Sequence, residues 1–488
     1  MIRPLLLTAA LLSAGLDHAW AQSASVSQPN PVPPTAKPAA PPADAPKPWP
    51  DQVKQPVPWF SWGMDFRARN EYYDNIVSLT DDHPLSEQDL FRFRGRLWTA
   101  LKPLPELSVN TRVSAEPRLW MNPAFVGSYY NQTGMEWRYG LVDNLNVKYD
   151  TPSFTVTAGR QDIVLGDFWN WWLVADGTPL DGSWSFYLDS VRVTWAPPEI
   201  KTKFDYILIH QQADASERIP TINNKSPYVT EQDEMGLILY ASNQSVKNTR
   251  IDGYFIYKRD ERVRPNGDDA NIYTVGTKVT GNPWTHWSYS VEGGYQFGDK
   301  TDPTLTGDTS GLSRKRDLRA FGVNTRLSYL LGDRLNNQFS VIYEYLSGDD
   351  PNTTGRDEMF DVLWGRWPRW SELYIYSYLP ENSGKIAQLN NIQRVGAGWN
   401  LNPIKGLTVG AYYNALFAPE SVPTRAGGAI GLFSETGNFR GHFLQAVATH
   451  TFNRHVRGHL WSEFIWQGDY YAQRDTMTFL RAEISIGL

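Results

Sequence analysis

From about Trp59 to Leu488 this chain is a succession of short segments in which polar and apolar residues alternate. In the last of them Leu480, Ala482, Ile484, Ile486 and Leu488 share one face, and Phe479, Arg481, Glu483, Ser485 and Gly487 share the other. Successive side chains of a strand point to opposite sides, so the pattern separates an oily face from a charged one. About eighteen such segments in series fit an all-β fold, a transmembrane antiparallel β-barrel with a wet interior, with sixteen strands as the fallback count.

The aromatic load agrees. Tyr 25, Trp 20 and Phe 21 make 14% of 488 residues, as the two aromatic girdles of an outer-membrane barrel require. Beyond the N-terminus there is no apolar run of about 18–20 residues, which excludes a helical membrane protein. Cysteine is absent, so disulfides, thiolate metal sites and Cys nucleophiles are excluded. A net charge of -6 is small for this length and gives no reason to expect nucleic acid as a partner.

The first residues read as a signal peptide over 1–21. Arg3 is a weak positive n-region, Leu5 to Leu16 an apolar core, and Ala19-Trp20-Ala21 a cleavage site before Gln22. Residues 22–58 carry twelve prolines between Pro29 and Pro58. Such a segment builds neither ladder nor core. It is expected to be a Pro-rich, disordered periplasmic tail, a spacer or a docking peptide for a periplasmic partner. The barrel is expected over 59–488, in the outer membrane of a Gram-negative-type bacterium.

Connections alternate in length. Lys102-Pro103-Leu104-Pro105 and Asn402-Pro403-Ile404-Lys405 are short, whereas Gln211–Gln232, Lys300–Arg316 and Gly348–Asn391 are long. Short periplasmic turns and long external loops are the expected asymmetry.

The strongest constellation is Arg92, Arg94 and Arg96, which alternate with Phe91, Phe93 and Leu97. Arginine at a bilayer midplane costs about 2–4 kcal/mol, so these three are expected to face the lumen. Arg67, Arg69, Arg112, Arg192, Arg326, Arg394, Arg457 and Arg481 have the same inward parity. Guanidinium stays charged and donates paired hydrogen bonds to carboxylates, so a tube lined this way attracts anions. The competing reading is that lumenal Arg pairs with lumenal Asp65, Glu71, Glu116, Glu292, Glu344, Glu463 and Glu483 to fill and stiffen the barrel.

Arg160 needs separate treatment. Strict parity from Phe154, Val156 and Ala158 sends it into lipid, and a bulge at Gly159 would turn it inward. Trp169, Trp171, Trp172, Trp184 and Trp195 cluster nearby, and Trp364, Trp367 and Trp370 fall in the long late loop. Tryptophan stacks on sugar rings and is also the ordinary residue of the membrane interface. No H-E-x-x-H, G-x-S-x-G or P-loop occurs, and His442, His450, His455 and His459 have no convincing metal spacing. The chain reads as no enzyme, without cofactor or metal.

Gly159-Arg160-Gln161 followed by Gly166-Asp167 and by Leu188-Asp189-Ser190-Val191-Arg192 resembles the GRQ, GD and FD-x-V-R pattern of the alginate export outer-membrane family. Phe360-Asp361-Val362-Leu363-Trp364, Asn453 and Trp466-Gln467-Gly468-Asp469-Tyr470-Tyr471 are similar to further elements of it. The resemblance implies an eighteen-stranded monomeric barrel with an Arg-rich, electropositive pore that passes a polyuronate. It implies that Arg160 is lumenal, and Arg192 matches the pattern.

The leading expectation is thus a passive channel for an anionic polysaccharide or oligosaccharide. The alternatives are a general or uptake porin for small solutes and a structural or adhesive barrel.

Overall fold

The computed structural model describes residues 49–83, 86–122, 133–165, 186–301, 315–365, 370–385, 389–425 and 427–488. The expected signal peptide, most of the proline-rich segment, Gly166, Asp167, Trp169, Trp171, Trp172, Trp184 and Trp367 lie outside the described residues.

The strands are β1 (Phe60–Asp74), β2 (Glu87–Leu104), β3 (Leu107–Trp120), β4 (Gly134–Asp150), β5 (Phe154–Gln161), β6 (Leu188–Trp195), β7 (Thr202–Gln211), β8 (Gln232–Asn243), β9 (Thr249–Arg262), β10 (Asp269–Trp284), β11 (Trp287–Thr301), β12 (Lys315–Leu330), β13 (Gln338–Leu346), β14 (Arg356–Asp357), β15 (Ile392–Leu401), β16 (Leu407–Phe417), β17 (Phe439–Thr451), β18 (Val456–Gln467) and β19 (Thr476–Gly487). β14 is a two-residue piece running parallel to β12. Among the described residues the other eighteen form one antiparallel barrel, so eighteen stands and sixteen falls. β1 closes it: Phe60↔Leu101 to Asp74↔Glu87 joins it to β2, and Asp65↔Gly487 to Asp74↔Thr478 joins it to β19. Closure through β1 leaves neither end of the sheet as a free edge strand.

The alternation explains which way each face turns. Met64, Phe66, Phe91, Leu97, Val291, Tyr295, Phe339 and Val341 stand exposed on the outside, while the residues between them are mostly buried. An apolar belt of that size is unfavourable in water and favourable in acyl chains. No helix among the described residues is long and apolar enough to cross a membrane; the strands do it.

Two local departures follow. At the end of the proline-rich segment, where an extended tail is expected, α1 (Trp49–Lys54) forms one and a half turns, its Pro50 in the first turn where a missing N–H costs nothing. It is tied to β1 by the Trp62 Nε1 to Val53 carbonyl bond of 2.8 Å. At Gly159 no residue is inserted in the β4–β5 ladder, where Asn146↔Gly159 is followed directly by Leu145↔Arg160. Nor is parity inverted: Gln161 lines the same inward recess as Thr155 and Thr157. Arg160, expected to turn into the lumen, keeps the face of its exposed ladder partner Leu145, although Gly159 has a φ of 119° that only glycine adopts cheaply. A Cβ there would sit 2.4 Å from the Leu145 carbonyl oxygen.

The barrel is not empty. The connection 347–391 folds inward and carries α2 (Leu373–Ser377). Its Phe360, Val362, Leu363, Trp364, Trp370, Leu373, Tyr374 and Tyr378 pack with Ile76, Leu79, Phe433, Tyr470 and Tyr471 of other long connections into one apolar cluster. Gly236 on β8 makes room for Trp364, whose ring a Cβ would meet at 2.3 Å.

Candidate functional site: the charged inner wall

On β1 and β2 the inward face carries Arg67, Arg69, Arg92, Arg94 and Arg96 against Asp65 and Glu71, five guanidiniums to two carboxylates. The register sets Arg67 opposite Arg94 and Arg69 opposite Arg92, like charges on neighbouring strands, a pairing that costs stability by itself. Carboxylates from both sides offset it. Arg96 grips Asp65 at 2.8 and 3.1 Å. Glu71, fully buried, meets Arg69 at 3.0 Å, Arg92 at 3.1 Å and Arg481 of β19 at 2.8 Å. Glu483 lies 3.8 Å from Arg67 and 3.5 Å from Arg69, and Glu116 lies 3.9 Å from Arg92. Arg94 is buried among them.

Further round, Arg112 contacts Asp143 at 2.8 Å and Asp162 at 2.7 and 2.8 Å. Asp143 is the extra residue of a β4 bulge, where Arg112↔Asn144 is followed by Val113↔Val142. Arg160 is not part of this inner wall: on the outward face of Leu145 and Val191 it is nevertheless buried, paired with Asp189 at 2.9 and 3.2 Å, and stacked 3.7 Å from the Tyr187 ring centroid. Arg192 donates to Asp205 at 2.9 Å. Arg394 donates to Glu344 at 2.8 Å, and its guanidinium lies 4.5 Å from the Trp370 ring. Arg326 donates to Ser328 and Ser340, each at 3.2 Å. Arg457 is half-buried.

Below Arg112 the inward faces of β3 to β6 border a polar recess of about 360 Å³, lined by Asn110, Asn144, Asn146, Lys148, Thr155, Thr157, Gln161, Asp162, Arg192 and Thr194. It offers amide and hydroxyl groups with two cations and the Asp162 carboxylate.

β10 stands nine ladders from β1 whichever way round one counts, and the wall there has the opposite character. Lys258 is 3.4 Å from Glu234, 3.0 Å from Asp260 and 3.8 Å from Asp361. Lys300 is 2.8 Å from Asp268 and 3.5 Å from Asp361, and Lys278 is 3.7 Å from Glu292. Glu292 therefore answers a lysine rather than an arginine. Sequence reading singled out guanidiniums and passed over these lysines, although Lys258 has the inward parity of Ile256 and Asp260.

The inward connection joins the two walls. Asp361 is held by a two-way bond with Gln296, its N–H to Oε1 at 2.8 Å and its carbonyl from Nε2 at 2.7 Å. At the other end Arg481 reaches Glu372 at 2.9 Å. Glu463, expected as a counter-charge to lumenal arginine, instead accepts from Ser371 Oγ and Leu373 N–H at 2.8 Å, from Gln445 at 2.7 Å and from Trp461 at 2.7 Å. It clamps the start of α2, where free N–H groups favour a carboxylate. Arg440 holds Glu381 at 2.7 Å. On the same connection Asp349 shares Arg316 with Asp357, and burial together with Asp357 pushes its carboxyl up to about 7. Trp364 and Trp370 are buried inside the barrel rather than set at a membrane interface, whereas Trp195 is exposed on the outer wall.

Residues 141–483 match the alginate export family. None of the curated proteins matches the chain in sequence. Among solved structures, Acinetobacter baumannii OccAB1 is similar with a TM-score of 0.55 at 10% identity, over 88% of this chain and 96% of that one. Pseudomonas aeruginosa OccK8 (OprE) gives 0.53 at 9%, over 88% and 98%. A BenF-like porin from Pseudomonas fluorescens Pf-5 gives 0.53 at 12%, again over 88% and 98%. At such identities the likeness is one of fold. The closed barrel with its apolar belt and the family match place the chain in the bacterial outer membrane as a channel protein.

Proposed function

The chain belongs to the alginate export family, and on that premise we propose that it passes an anionic saccharide, alginate-like in chemistry, by passive diffusion along its Arg-bearing wall. The observation that carries this reading is the excess of guanidinium on β1 and β2, five against two carboxylates, directed into the barrel. A uronate chain offers one carboxylate and several hydroxyls per sugar. Fixed guanidiniums meet the first in bidentate fashion, and the recess beside Arg192 meets the second with Asn, Thr and Gln side chains. A charge-lined cleft with low-dielectric walls also concentrates ions of opposite sign.

One observation favours a second reading, a porin for small solutes: connection 347–391 reaches both walls and fills space that a polymer would need. Liposome swelling with uronate oligomers of increasing length separates the two. Permeation of oligomers, with block of ion current by the polymer, supports the anionic saccharide channel. Equal passage of neutral and anionic monosaccharides, with no block by polyuronate, overturns it in favour of the porin.

A further inference from the structure

Among the described residues the wall is lowest at β5 and β6. β4 runs for 17 residues, but β5 and β6 beside it have only 8 each. The β4–β5 ladder ends at Leu145↔Arg160, so the part of β4 beyond it has no β5 partner. Higher up, the connection 212–231 crosses to that unpaired edge, where Ile222 N–H donates to the Gly140 carbonyl at 2.9 Å. Between the tops of β5 and β6 and this crossing lies a cavity of about 420 Å³, within the usual size of small-molecule sites.

Its lining is of two kinds. Leu145, Val191 and Leu208 are exposed members of the outer apolar belt, 41%, 40% and 57% accessible, so the cavity opens on acyl chains. Arg160, Asp189 and Arg218 form its polar end. Arg160 holds Asp189 in a two-point pair at 2.9 and 3.2 Å, and Arg218 stands 3.6 Å from the same carboxylate with its side chain 36% exposed. Two guanidiniums share one carboxylate, which leaves one positive charge at the head of an apolar groove.

We propose that this opening is a lateral binding site for an anionic membrane lipid. Its phosphate pairs with Arg218, and one acyl chain lies along Leu145, Val191 and Leu208. The occupant is argued from position and charge. The groove is reached from the hydrocarbon belt, which presents lipid, and its head selects a negative group. The lipid would lie against the wall where the described β4–β5 ladder ends, a role independent of what the lumen conducts.

The test uses the full-length protein, purified, delipidated and titrated with phosphatidylglycerol or phosphatidylcholine under native mass spectrometry. The expected result is one retained phosphatidylglycerol, at least about tenfold preferred over phosphatidylcholine and not displaced by equimolar inorganic phosphate. Arg218→Glu should abolish that preference, Arg218→Lys should keep most of it, and Leu208→Ser should weaken retention of the lipid. Single-channel conductance should be the same in Arg218→Glu as in the parent. Equal retention in the parent and in Arg218→Glu, equal retention of the two lipids, or displacement by free phosphate would each overturn the proposal.

Discussion

Glu71 and Lys258 are mirror images on different walls of one tube. At Glu71 a single buried carboxylate is surrounded by Arg69, Arg92 and Arg481. At Lys258 a single buried ammonium is surrounded by Glu234, Asp260 and Asp361. The first knot leaves positive charge over, the second negative, and the barrel between them is crossed by one connection that gives Glu372 to the former and Asp361 to the latter. The difference teaches that an inward charge ladder can be satisfied yet polarised. One carboxylate serves three arginines at Glu71, and three carboxylates serve one lysine at Lys258. Arginine suits its wall because a planar fork bonds two partners at once, whereas lysine is a point charge that three carboxylates can surround.

The largest expected effect comes from removing the odd member of either knot. Glu71→Gln and Lys258→Met each strand buried like charges, and each should lower barrel stability by about 3–5 kcal/mol, read as a shifted urea midpoint in detergent. A loss at only one site would break the symmetry of the comparison. Next, Glu463→Gln weakens the acceptor that clamps the start of α2, at a cost of about 1–3 kcal/mol to the inward fold of the connection. That should appear as noisier, larger single-channel currents, with the urea midpoint of the strands nearly unchanged. A smaller effect is expected from neutralising one wall without touching its central knot. Arg67→Gln with Arg94→Gln should cut the entry rate of an anionic saccharide by about tenfold, whereas Glu292→Gln on the other wall should raise it slightly. The smallest is a pH slope. The Asp349 carboxyl is raised in the folded state to about 7, so the folded protein holds a proton that the unfolded chain has already released. Its stabilising share is full below the ordinary carboxylate range and declines as pH rises through about 7. Asp349→Asn should flatten the fall in unfolding midpoint between pH 5 and pH 8.

The fold was largely legible because a period of two is local: each strand declares its faces without reference to its neighbours. Parity separated Arg92 and Arg94 from Phe91 and Phe93, and the eighteen-strand count followed from repetition. It failed where the backbone breaks period. The bulge at Asp143 left no compositional mark, whereas at Gly159, where a bulge was expected, strict parity holds and Arg160 stays on the outward face. The inward connection was illegible for a different reason. Residues 347–391 have no period at all, so nothing in them says that Trp364 and Trp370 are buried, or that Asp361 and Glu372 reach separate walls. Glu463 shows the same limit: its face was given by parity, but its partners come from that connection. The family motifs did carry information here, since Phe360-Asp361-Val362-Leu363 is the stretch that docks on Gln296 and Lys258.

The most direct test of a conduit governed by its guanidinium wall is the reversal potential of the purified protein in a planar bilayer under a potassium chloride gradient. The account predicts anion selectivity at about 0.1 M salt that fades toward 1 M, as the Debye length contracts from about 10 Å to about 3 Å. Cation selectivity, or a selectivity unmoved by Arg67→Gln with Arg94→Gln, would contradict it.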